Sequence, residues 1–182
     1  MLKKNSIILL IFSLLYNIFP VLPVDAARDA NKVAGVSFTT PEAWTNTQPS
    51  SSMRVFQFTV PGATLELSAE MAVFYFGEGM GGGIQANIDR WKGQFEKLTG
   101  ENTEKRRVNG IDVVIVTLKG VYQPSGGPMM ASQGPPLEDF AVLGAIVAAP
   151  QGPVFFKMTG PQETIDHARE DFNQLISSLH NI

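Results

Sequence analysis

A chain of 182 residues with a net charge of −3 is long enough for one domain with a full core and too short for two. That mild acidic balance gives no electrostatic basis for nucleic acid or anionic lipid as a partner. The absence of cysteine excludes disulfides, thiolate zinc sites, thiol redox chemistry and a thioether lipid anchor.

Lys3 and Lys4 precede an apolar run, Ile7 to Phe19, which Pro20 and Pro23 interrupt before the small-residue exit Val24-Asp25-Ala26. This is the layout of a secretory signal peptide, so residues 1–26 are read as a leader cleaved after Ala26. An uncleaved anchor over Ile7 to Val24 is the competing reading. The expected product is exported, periplasmic or secreted, with no stable membrane anchor, and residues 27–182 form a single domain.

Within that domain Ala27 to Lys32 is polar and is expected to fray. Gly35-Val36-Ser37-Phe38 predicts a short strand, and Pro41-Glu42-Ala43-Trp44 a turn that buries the tryptophan. Thr45 to Ser52 reads as a loop. Met53 to Val60 alternates as a strand, ends at Pro61-Gly62, and is followed by a long strand, Leu65 to Phe76.

A glycine cluster comes next, Gly77-Glu78-Gly79-Met80-Gly81-Gly82-Gly83. Beyond it Ile84, Ile88, Trp91, Phe95 and Leu98 recur at helical spacing, which predicts an amphipathic helix running to a stop at Thr99-Gly100. Glu101 to Arg107 is charged and expected to be exposed. Asn109-Gly110 is a strong hairpin signal, since both residues tolerate positive φ, and it leads into a central strand, Val113 to Tyr122. Residues 123–139, rich in proline and glycine, read as a long surface insert. Phe140 to Ala149 and Val154 to Thr159 then form a hairpin across Pro150-Gln151-Gly152-Pro153. A last helix begins at Gly160-Pro161 and carries the apolar stripe Ile165, Ala168, Phe172, Leu175, Ile176 and Leu179.

These elements predict an α+β domain: an antiparallel sheet of six to seven strands flanked by two main amphipathic helices. The early Val-Ser-Phe and Pro-Glu-Ala-Trp, the hairpins, the helix after the third strand and the closing Phe172-Asn173-Gln174-Leu175-Ile176-Ser177-Ser178-Leu179 resemble the Mog1/PsbP-like α/β/α sandwich family over residues 35–180. The resemblance implies a binding or assembly factor rather than an enzyme, and it assigns no binding residue.

Gly77 to Gly82 fits the spacing G-x-G-x-x-G between a strand and a helix. A run so rich in glycine fits many glycine patterns, however, and no parallel βαβ unit follows. Nucleotide binding is therefore not expected. A broader use remains, because free N–H groups at a helix start can receive an anion. On this basis Gly79, Gly81, Gly82 and Gly83, with Asn87, Arg90 and Trp91, are the candidate ligand-binding residues. The competing structural role is simply a sharp strand-to-helix turn with Trp91 in the core. His167 and His180 lack ligand spacing, and Met129-Met130 makes a poor copper site, so no metal or cofactor is expected. No nucleophile, base and acid fall together. The sequence thus predicts a non-enzymatic domain that contacts a protein partner or small ligand through the glycine turn and the helix start. The alternative is a small-molecule carrier or enzyme that uses the helix N-terminus as an anion site.

Overall fold

The computed structural model describes residues 30–124 and 134–182. The expected leader and Met129-Met130 lie outside the described residues, as does most of the proline-rich insert.

Asn31–Val33 (β1) pairs with Val36–Phe38 (β2) across Ala34 and Gly35, both at positive φ. β1 lies partly in the stretch expected to fray. It is held because Val33 is buried and its backbone is paired. Trp44 is buried beyond a turn closed by its N–H donating to the Pro41 carbonyl, 3.2 Å. Thr45–Thr47 (β3) corrects the expected loop, since these polar residues pair with Arg54–Val60 (β4) as an edge strand whose side chains lie mostly in solvent.

The strand expected from Leu65 begins later. Leu65–Leu67 form a 3₁₀ turn and Ala69–Tyr75 is the strand (β5). Leu65 is 88% exposed, and the Leu67 carbonyl accepts the Thr164 hydroxyl at 2.7 Å, which fixes the turn against the C-terminal helices. A second correction concerns the first helix. It spans only Ile84–Lys92 (α1), and Phe95 opens a long strand, Phe95–Val108 (β6). Phe95 and Leu98 continue the helical period by sequence, but they reach the same core from a strand that gains a ladder with Ile111–Tyr122 (β7). Glu101 to Arg107, expected to be exposed, is the outer part of this edge strand rather than a connection.

Leu137–Ala149 (β8) and Gly152–Pro161 (β9) complete a seven-stranded antiparallel sheet of order β3-β4-β5-β9-β8-β7-β6. The expected last helix is two, Gln162–His167 (α2) and Arg169–Ser177 (α3), divided at Ala168 where ψ flattens to 0°. Its predicted stripe is buried at every position. His180–Asn181 (β10) then pairs with β2, making a small three-stranded sheet of order β1-β2-β10.

Strand alternation gives the large sheet two apolar faces. On one, Ile165, Phe172 and Ile176 pack with Phe38, Phe156, Met158 and Leu143. On the other, Ile88 and Trp91 of α1 pack with Val114, Val116, Val142, Ile146 and Phe155. A fully buried Phe, Leu or Ile contributes about 1.5–3 kcal/mol, so both layers add to stability. The domain is an α+β sandwich, with α2 and α3 on one side and the single short α1 on the other.

Candidate functional site

Because α1 has only nine residues, it covers the middle of its face and leaves open ground on either flank. Its seat is Gly144. A Cβ there would collide with the Trp91 ring, so the missing side chain lets the indole lie directly on the sheet. Gly144 is the register partner of Lys157 on β9, and on the other side Lys157 faces Ala72 of β5. Two small neighbours leave room for the lysine stem to lie in the α1 face of the sheet.

On the β5 side of α1 lies a cavity of about 240 Å³, floored by Phe155 and Lys157. Phe74 and Phe76, stacked at 6.3 Å and 14°, supply one wall; Trp91, Gln94 and Asn87 supply the other. Phe76 tilts against Phe155 at 5.7 Å, while Arg90 and the exposed Met53 stand at the rim. The Lys157 Nζ donates to Gln94 Oε1 at 2.7 Å and lies 5.7 Å from the Tyr122 ring centroid. Gln94 is itself fixed, its N–H donating to the Trp91 carbonyl and its carbonyl accepting the Gln123 N–H.

Among the described residues no carboxylate pairs with Lys157. The acidic group that acts on it, Glu70, is engaged by Arg54 at 2.7 Å and by the Gln57 amide at 3.0 Å. Burial pushes the Lys157 amine down to about 8, against a smaller upward pull from Glu70 and a further lowering by Arg54. Burial likewise raises the Tyr122 phenol, so the ring beneath the amine stays neutral at ordinary pH. The site is a small aromatic chamber with one half-buried cation on its floor and one exposed cation at its mouth.

Only part of the predicted set converges here. Asn87, Arg90 and Trp91 line the chamber. Asn87 is 1% exposed, and its amide donates to the carbonyls of Gly81 and Gly83 at 2.8 and 2.9 Å, so its hydrogens hold the glycine turn. Gly81, at φ 93°, lies so close to the chamber wall that a Cβ would stand 2.8 Å from Phe155 Cε2. Gly82 and Gly83 face a separate groove of about 540 Å³ on the other flank of α1, with Ile84, Lys105 and Ile146. A Cβ on Gly79 would have nothing within 4 Å, and Gly79 lines neither space.

Sequence reasoning missed Lys157, Gln94 and the three phenylalanines. One signal was available, the single charge in the apolar run Val154-Phe155-Phe156-Lys157-Met158. His180 is engaged structurally, with Nε2 2.8 Å from Ser37 Oγ. Among the described residues no group of three His, Asp or Glu is placed to hold a metal, and no helix is long and apolar enough to cross a membrane.

No family model matches the chain, and no curated protein does. Among solved structures it is similar to PA94 from Pseudomonas aeruginosa, a protein of unknown function, at 11% identity and TM-score 0.51, over 84% of this chain and 96% of that one. It is also similar to cyanobacterial PsbP from Synechocystis sp. PCC 6803, at 15% identity and TM-score 0.49, over 82% and 88%. The likeness to PA94 shows a shared fold, and it is consistent with the PsbP/Mog1-like sandwich that the sequence resemblance implied.

Proposed function

We propose that the chain is a non-enzymatic binding domain whose ligand site is the aromatic chamber between α1, β5 and β9. The observation that carries this reading is Lys157, a half-buried cation on the chamber floor, opposed by no paired carboxylate among the described residues. An amine in such a place costs stability, and an anionic guest would offset that cost. The aromatic walls supply the apolar contact that small-molecule sites use beside a few placed polar groups. The groove at the start of α1 also carries charge, Lys105 and Arg106 with Asp112, but its remaining lining has no aromatic ring to receive an apolar guest.

The protein is read as exported, on the basic start, apolar run and small-residue exit of residues 1–26. N-terminal sequencing of the protein recovered from the envelope or medium tests that part; a start at Ala27 is expected, and an intact Met1 overturns it. A thermal-shift screen with metals, nucleotides, sugars, fatty acids and small organic acids tests the site. A saturable rise that Lys157→Met abolishes supports the chamber. A rise that persists in Lys157→Met and Phe76→Ala places the ligand elsewhere, whereas silence from every class favours a protein partner.

A further inference from the structure

Resting on that chamber reading, we infer that its ligand is a small aromatic carboxylic acid, with the ring among Phe74, Phe76, Phe155 and Trp91 and the carboxylate on the Lys157 ammonium. Volume is the first argument. About 240 Å³ lies below the range of roughly 300–1,000 Å³ typical of drug-sized sites, so the space suits one ring system with a short arm. Wall chemistry is the second. Phe74 and Phe76 are already stacked, and Phe155 tilts against Phe76, so a planar guest meets both a face and an edge.

Charge supplies the third argument. An ammonium has three donors, of which Gln94 takes one, and a carboxylate can accept another in a charge-assisted bond. Among the described residues, the charged or titratable groups that face this amine come from four packed elements. Arg90 comes from α1, Tyr122 from β7, and Glu70 and Arg54 from β5 and β4. Glu70 and Arg54 bind each other, so the guest's own charge meets two cations and no free acid of this set. Since the amine loses its proton near pH 8, affinity should fall above that value by up to about tenfold per pH unit, while a benzene carboxylate stays ionised throughout.

The test is calorimetric titration of the full chain with phenylacetate, phenylacetamide, phenyl phosphate and octanoate at pH 7 and pH 9.5. Phenylacetate should bind saturably at pH 7, about tenfold or more tighter than the uncharged amide, and lose most of that advantage at pH 9.5. Lys157→Met should remove the preference for the acid over the amide, and the pH comparison on the unaltered protein gives the same answer without a variant. Tighter binding of octanoate, with the same dependence on Lys157, overturns the aromatic class but keeps the chamber. Preference for phenyl phosphate overturns the carboxylate assignment. If no probe binds, or binding ignores both Lys157→Met and pH, the inference falls, and a ligand from another class that still depends on Lys157 would show the chamber reading to stand without it.

Discussion

In the unfolded chain Lys157 ionises at the ordinary lysine value of 10.5, and in the folded protein at about 8. Between those values the unfolded chain binds more protons, so stability should climb as pH rises from about 8 toward 10.5. Below 8 the penalty is fully present, and at about 1.4 kcal/mol per unit it amounts to at most roughly 3.5 kcal/mol. Lys157→Met keeps the stem and removes the charge, so it should raise the melting temperature at pH 7 and flatten this pH dependence, as measured by calorimetry at both ends of the window. A melting temperature that drops in the variant would mean that the amine's bond to Gln94 outweighs its desolvation. Gly144 makes the complementary case. Gly144→Ala should destabilise by roughly 1–3 kcal/mol through displacement of Trp91 and shift the tryptophan emission, because the new methyl occupies the indole's seat. Neither residue was readable as a site from the sequence. A lysine inside an apolar run is visible, but that Ala72 and Gly144 flank it depends on a register that no local pattern specifies.

At the scale of elements, the hairpin at Asn109-Gly110 was legible because its turn chemistry is local, and the structure has φ of 49° and 85° there. The end of α1 was not. The apolar period that predicts a helix through Leu98 continues unbroken across Gly93, and what ends the helix is competition from the β7 ladder, a long-range term. Likewise Leu65 to Leu67 has the composition of a strand, yet it is drawn into a turn tied to Thr164 nearly a hundred residues later. The glycine turn was recognised, but what holds it was not legible. Its most consequential bonds come from the Asn87 side chain. Asn87→Ala removes both and leaves two carbonyls without that donor, so it should cost roughly 1–3 kcal/mol and speed amide exchange in residues 77–83. Arg90→Ala should do the reverse, weakening binding of an acidic ligand while leaving exchange and melting nearly unchanged, since Arg90 is exposed. If both variants lose stability equally, the rim position assigned to Arg90 is wrong.

Across the whole molecule the sheet separates two layers with different tasks. The layer of α2 and α3 holds most of the large buried side chains, including Phe38, Phe156, Phe172 and Leu179, and it is closed by the small sheet in which β10 joins β2. The α1 layer is smaller and incomplete, and its gap is the candidate chamber. Such a division lets one side carry the stability that the other gives up by holding a half-buried cation. It also makes a separable prediction. Removing residues 180–182 deletes the Ser37–His180 bond of 2.8 Å, the Ile182 N–H to Gly35 carbonyl bond of 3.1 Å and the β10 pairing with β2. The melting temperature should fall by roughly 2–4 °C for each kcal/mol lost. Ligand affinity should stay the same within error, because these contacts lie with β1 and β2 and none of their residues lines the chamber. Melting and titration of the shortened chain decide the matter together: a fall in both would show that the two layers are coupled through the sheet, and that α1 is positioned by the packing on the opposite face rather than by Trp91 on Gly144.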